Sequence, residues 1–213
     1  MALLPRLDAI ARITAALRAT TTESVTLAHA HGRVLASNLQ ALRNLPPHDN
    51  SAMDGYALIA SDTESASSTM PAVLEIVEEI PAGHAPQKSL KEGQSARIFT
   101  GGIIPSGADS VTMQENTERH AERHVHIMQP SQLGRHIRRA GEDVTQGTSL
   151  LEKGTALGPG EIAMLAAQGI DRIDVYRTPT VSIIPTGSEL CEVGKPLGPA
   201  QIYNSNAMML EAQ

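Results

Sequence analysis

Ser51-Ala52-Met53-Asp54-Gly55-Tyr56, approached through Leu45-Pro46-Pro47-His48-Asp49-Asn50 and continued by Ala57-Leu58-Ile59-Ala60, decides how the chain is read. The two prolines fix φ and remove backbone donors, so the approach is stiff and non-helical. Asp49, Asn50 and Ser51 are residue types whose short polar side chains bond nearby backbone and favour turns. Gly55 allows a positive φ or a close backbone approach directly after Asp54. Tyr56-Ala57-Leu58-Ile59 has strand composition. An aspartate is therefore expected at the mouth of a strand, on a rigid loop. On composition alone the same residues also describe an ordinary Pro/Asp/Gly turn.

Downstream, Gly93 turns the chain into Ala96-Arg97-Ile98-Phe99, a strand ending at Thr100-Gly101-Gly102. Thr100 offers a hydroxyl beside two glycines, whose N–H groups are candidates to approach an anion or a carbonyl. Pro105-Ser106-Gly107-Ala108-Asp109 forms a turn before the strand Ser110-Val111-Thr112-Met113, which ends in Gln114-Glu115. Val73 to Val77 reads as a further strand ending near Ile80-Pro81. Its Glu75, with Glu78 and Glu79, is read as a solvated face. His120, His124 and His126 fall on a polar hairpin tip, and with His136 they lack the carboxylate or Cys pattern of a metal cluster. His29 and His31 point to opposite faces of a strand and are not paired ligands. Arg138-Arg139 before Gly141-Glu142-Asp143 reads either as charged groups lining a site or as a solvated turn with local ion pairs.

Towards the N-terminus, residues 3–19 form an amphipathic helix pattern through Leu3, Leu7, Ile10, Thr14 and Leu17, with Pro5 in the first turn. That apolar stripe fits packing on its own domain or a contact between subunits. Towards the C-terminus, Gly158-Pro159-Gly160-Glu161 starts a helix over 162–168 stopped by Gly169, followed by a strand at Ile173–Tyr176. Thr180 to Ile184 is expected to be an apolar strand entering Pro185-Thr186-Gly187-Ser188-Glu189-Leu190. Strand, glycine turn and acid describe the first crossing of an α/β domain, where ligands sit at strand ends. Gln201 to Asn206 reads as a loop entering a helix with Met208-Met209-Leu210.

Composition narrows the function classes. With 2% aromatic residues, no Trp and one Phe, the core must be Leu, Ile, Val, Ala and Met, and a base-stacking platform is excluded. A formal charge of −6 opposes nonspecific binding to phosphate polymers but permits a local anion site. Cys191 is the single cysteine, which excludes an intramolecular disulfide and suits a reducing, cytoplasmic setting. No apolar run is long enough to cross a bilayer.

The turn at 51–57, the Arg97-Ile98-Phe99-Thr100-Gly101 strand end, the P-x-G-A-D turn at 105–109, the Gln114-Glu115 ending and Arg-Arg before Gly-Glu-Asp together resemble molybdopterin molybdenumtransferases. That family includes the E domain of gephyrin and plant molybdenum-cofactor proteins. His48 stands where phenylalanine is frequent, Phe99 where methionine is usual, Ser188 where the family has aspartate in T-G-D-E-L, and Asn204 where aspartate is common. The resemblance runs through nearly all 213 residues but covers the front portion of a complete member. It implies a multidomain α+β fold. Residues 1–48 and 145–177 would make a discontinuous N-terminal α/β domain, 49–144 a β-rich insertion, and 178–213 the beginning of a molybdopterin-binding α/β domain.

The resemblance further implies insertion of molybdate into adenylylated molybdopterin with release of AMP and a divalent metal, Mg²⁺. The stretch present here is expected to be inactive alone. By position, Asp54, Thr100, Asp143 and Glu189 would line the cleft, with Asp54 and Glu189 handling metal or water and Thr100 bonding substrate. Ser51, Gly101, Gly187 and Asn206 would contact the pterin, and no metal ligand set is assigned. Family members are homodimers whose cleft is shared between subunits. The alternatives are a non-catalytic dimerisation or scaffold module of the same family, and an unrelated β-rich binding domain.

Overall fold

The computed structural model describes residues 4–120 and 122–213. Leu3, the first residue of the predicted helix stripe, lies outside the described residues. In chain order the elements are α1 (Arg6–Ala16), β1 (Thr22–Thr26), β2 (Leu39–Gln40), β3 (Asn50–Ser51), β4 (Gly55–Leu58), β5 (Ala72–Ile80), β6 (Gln94–Ile98) and β7 (Ser110–Met113). They continue with β8 (Thr117–His120), β9 (His124–Ile127), β10 (Ile137–Arg138), β11 (Ser149–Leu151), α2 (Pro159–Ala167), β12 (Arg172–Tyr176), β13 (Leu190–Cys191), β14 (Ile202–Tyr203) and α3 (Ser205–Ala212). The fold is mixed α+β and dominated by sheet. Contacts divide the chain into two units, residues up to Glu23 with Tyr176–Gln213, and Ser24–Val175.

The larger unit holds a six-stranded sheet in the order β7-β4-β6-β5-β9-β8. Its pairings are antiparallel except β5 with β6, which run parallel because the chain crosses over through residues 81–93 before returning. Alternation along the strands gives the sheet two buried faces. Ala57, Ala96, Ile98 and Val111 pack on one with Ile80 and Leu90. Tyr56, Leu58, Leu74, Val125 and Ile127 pack on the other. A separate cluster of Ala30, Leu35, Leu157, Leu165, Ile173 and Val175 draws on both ends of the unit. Small and branched apolar residues fill all three clusters, as the scarcity of aromatics requires.

β4 is buried along its whole length and has neighbours on both edges. Gly55 begins it because the β7 backbone passes close by, and a Cβ there would lie 2.0 Å from the Thr112 carbonyl oxygen. The close-approach reading of Gly55 therefore holds. α2 starts where predicted, with Glu161 accepting the Gly158 N–H at 2.9 Å, and Gly169 ends it at φ +75°. Inside this unit the buried Gln168 accepts from the Leu42 and Arg43 amides at 2.7 and 3.0 Å and donates to the Arg43 carbonyl at 3.2 Å. A fully satisfied buried amide is a precise brace for that otherwise irregular segment.

In the smaller unit α1 forms as expected, with Pro5 at its N-cap. Leu7, Ile10, Ile13 and Leu17 remain 47–70% exposed, so the stripe is not covered by its own unit. The strand predicted over 180–184 does not form. Its β-branched side chains suit a pleat, but among the described residues no ladder partner lies beside it, and Val181 and Ile184 are 77% and 81% exposed. The pairing falls instead at β13 with β14, which are parallel, Leu190 opposite Ile202. Asn204 Oδ1 accepts the Ala207 N–H at 3.2 Å and caps α3. No described helix is long and apolar enough to cross a membrane.

Two glycines separate steric constraint from freedom. Gly55→Ala is expected to destabilise the chain by about 3 kcal/mol, because backbone must move to admit the methyl. Gly160→Ala, where nothing lies within 4 Å of the added atom, is expected to stabilise by about 0.5 kcal/mol. Urea unfolding of both variants checks the opposite signs.

Candidate active site

The predicted loop is built by a crossing of two segments. Leu45 and Pro46 carbonyls accept from Asp143 and Gly141 amides, each at 2.9 Å, and Asn50-Ser51 pairs antiparallel with Ile137-Arg138. Asp49 closes the crossing, one oxygen taking the Ala140 N–H at 2.8 Å and the other an Arg139 N–H at 2.6 Å. These donors hold the Asp49 carboxyl below its ordinary range, the backbone amide contributing most and the guanidinium next.

Ser51 is buried, 1% exposed, and its hydroxyl donates to the Met53 carbonyl at 2.6 Å while accepting the Met53 N–H at 3.2 Å. Its backbone accepts from Gly101 N–H and donates to the Gly102 carbonyl, both at 2.9 Å. Gly102 N–H goes to the Phe99 carbonyl at 2.8 Å. The Ser51, Gly101 and Gly102 backbone groups are thus spent on one another and on Phe99. These groups weld the 51–54 turn to the 99–102 turn, and a committed N–H has nothing left to offer an anion.

Asp54 and Thr100 are what the weld presents. The Thr100 amide and hydroxyl both donate to Asp54 Oδ1, at 2.8 Å each. Among the described residues no hydrogen bond reaches Oδ2. Gln114 N–H donates to the Asp54 carbonyl at 3.0 Å. The Asp54 carboxyl lies below its ordinary pKa because of the Thr100 amide first, the Thr100 hydroxyl second, and the positive charge of Arg97. Both Asp54 and Thr100 are exposed, on an open surface of their unit.

Asp143 belongs to the crossing. It forms an ion pair with Arg138, both side chains about half exposed at 53% and 41%. With Glu142, Thr145, Thr148 and Met164 it lines a cavity of about 330 Å³. The remaining predicted residues lie in the smaller unit. Glu189 and Asn206 line a cavity of about 230 Å³ with Thr186, Ile202, Tyr203 and Asn204. Gly187 borders Glu189 so closely that a Cβ would sit 2.6 Å from its Oε2. The structure thus joins Ser51, Asp54, Thr100 and Gly101 in one cluster, and Gly187, Glu189 and Asn206 in another. Arg97 and Gln114, given no role from the sequence, prove to be neighbours of Asp54. Their signal was the strand alternation that sets Arg97 and Phe99 on one face and Tyr56 across from Arg97. The three histidines do fall on the β8–β9 hairpin, where the His120 and His126 rings stack at 4.5 Å. Among the described residues no three or more His, Cys, Asp or Glu side chains gather to hold a metal ion.

Residues 4–169 match the family model of the MoeA N-terminal region, domain I and II. The chain belongs to the MoeA N-terminal region family. Within it, the molybdopterin molybdenumtransferase of Nostoc sp. is 44% identical over 191 residues, covering 90% of this chain and 44% of the relative. That of Bacillus subtilis is 42% identical over 195 residues, covering 90% and 45%. The crystal structure of the molybdopterin biosynthesis moeA protein from Pyrococcus horikoshii OT3 superposes with a TM-score of 0.83 at 39% identity, covering 90% of this chain and 51% of that one. The chain therefore spans about half the length of the MoeA relatives it matches.

A depressed carboxyl fixes the sign of the pH response. The stabilisation that Asp54 gives the Thr100 turn is complete above its unfolded pKa of about 4 and is lost as pH falls through the lower folded value. The Thr100 amide resonance is expected to titrate only below about pH 4, and Asp54→Ala to remove that step. NMR titration of the amide checks it, and a midpoint above that range would contradict the hydrogen-bond pattern.

Proposed function

We propose that the chain serves molybdenum cofactor biosynthesis as part of a molybdopterin molybdenumtransferase, with Asp54 and Thr100 in the reacting cleft. The observation that carries the reading is the fixed Asp54–Thr100 pair, inside the stretch matched by the family. The relatives are named for transfer of molybdenum to molybdopterin. On this reading, adenylylated molybdopterin and molybdate are the substrates and AMP is released. Asp54 stays ionised at neutral pH, so it serves as an anion that orients water or a cation and not as a proton donor. Thr100 is aligned by Asp54 to bond substrate. Glu189 and Asn206 contribute from their own cavity, and Asp143 holds Arg138 at the crossing.

Mg²⁺ fits this donor set in one form. No described cluster encloses a metal, but hydrated Mg²⁺ needs only one or two carboxylates beside substrate phosphates. Asp54 Oδ2 in the larger unit and Glu189 in the smaller are each a single carboxylate of that kind. The ion would neutralise phosphate charge when bound. The multidomain division at 49–144 and from 178 onward belongs to the same proposal, as does a cytoplasmic setting.

The second reading, a dimerisation or scaffold module, is favoured by the exposed stripe of Leu7, Ile10, Ile13 and Leu17 on α1. A stripe of this kind suits a second copy of the chain, and a homodimer with a cleft shared between subunits unites the two readings. Leu7→Glu with Ile13→Glu is expected to convert a dimer to a monomer in sedimentation equilibrium. An unchanged mass would remove α1 from any self-contact.

Catalysis is tested by joining the chain to the remaining half of a full-length relative, mixing the product with adenylylated molybdopterin, molybdate and Mg²⁺ and measuring AMP. AMP release that falls about a hundredfold or more in Asp54→Asn is the expected result. Absence of both AMP and pterin binding would leave the module reading alone.

A further inference from the structure

The motif residues Arg97 and Gln114 have no task in the reading above, yet their contacts converge on the backbone that carries Asp54. Arg97 lies directly across from Tyr56 in the β4–β6 pairing. Its guanidinium lies over two aromatic rings, 5.2 Å from the Tyr56 ring centre and 4.7 Å from that of Phe99. One nitrogen donates to the Gly55 carbonyl at 3.0 Å and the other to Gln114 Oε1 at 2.6 Å. The Gln114 amide donates to the Asp54 carbonyl at 3.0 Å. The carbonyls of Asp54 and Gly55 are thus both held, one by Gln114 and the other by the arginine that orients Gln114.

We propose that Arg97 is the positioning residue of the site, a fork that fixes the Asp54–Gly55 backbone and thereby aims the Asp54 carboxylate at Thr100. The fork matters more than the charge. A planar guanidinium reaches Gly55 and Gln114 at once while lying over two rings, whereas a lysine ammonium is a point charge on a flexible stem. Neither hydrogen-bond acceptor is ionised, so Arg97 brings its positive charge beside Asp54 without a carboxylate hydrogen-bond partner of its own among the described residues. Its functional meaning rests on the reading of Asp54 and Thr100 as the reacting pair, but its test does not require turnover.

Amide hydrogen exchange, followed residue by residue by NMR in the whole chain, separates positioning from bulk support. The Thr100 N–H reports the bond to Asp54 Oδ1, while the Ala57 N–H lies on the inner strand β4 and the Val111 N–H, on edge strand β7, donates to the Arg135 carbonyl at 3.0 Å. In Arg97→Lys and Arg97→Met the Thr100 amide is expected to exchange about tenfold faster, with Ala57 and Val111 unchanged. Unaltered Thr100 exchange in either folded variant overturns the proposal, as does wild-type protection in Arg97→Lys, which would assign the effect to charge alone. A rise shared equally by Ala57 and Val111 in both variants also overturns it, because Arg97 would then be ordinary scaffold. Should the exchange result hold while AMP release fails, the positioning stands and the enzymatic reading falls.

Discussion

Two donors from Thr100 meet one oxygen of Asp54, and the geometry of the larger unit is arranged to let them meet. Asp54 precedes β4 and Thr100 follows β6, and antiparallel pairing puts Gly55 opposite Ile98. The two turns therefore emerge at the same end of adjacent strands. A slip of one residue would turn every side chain of β4 to the other face and separate the pair. Gly55 guards that register, because the Thr112 carbonyl occupies the space a side chain would need. Ser51 completes the arrangement by tying its own turn to Gly101 and Gly102.

The electrostatic character of the pair follows from this geometry. An exposed carboxylate is ordinarily a weakly defined charge, free to rotate and well solvated. Here Oδ1 is fixed by two donors and the carboxyl is held ionised below its usual range. The oxygen left open is thus a placed negative charge. Such a group is suited to orienting a water or a cation, and poorly suited to giving up a proton near neutrality. The overall charge of −6 does not decide this, since the two Thr100 donors, and after them the Arg97 charge, act locally on the carboxyl.

Apolar residues follow two different rules in this chain. In the six-stranded sheet, Leu, Ile, Val and Ala bury themselves on both faces, and a core almost without aromatic rings results. Along α1 and at 181–184 the same residue types stay exposed. The difference is partnership: strand and helix composition specify which side chains seek cover, while the cover comes from another element. The relatives, about twice as long, place the matched stretch within a larger protein.

Local sequence determined the elements whose signals are short-range. The Gly158 to Glu161 capping pattern and Gly169 set α2, Pro5 set the start of α1, and apolar composition between turn residues set β5, β6 and β7. The motif spelling also singled out Asp54 and Thr100. Only tertiary structure decided that the buried Ser51 and the exposed Gly101 are joined backbone to backbone, because hydrogen-bond partners 50 residues apart leave no local trace. It alone gave Arg97 its two carbonyl-side neighbours, since a strand residue's partners are set by register. It also refused the strand at 180–184, where propensity was present and a ladder was not. A residue's type fixes what it can bond, and the fold fixes what comes within reach.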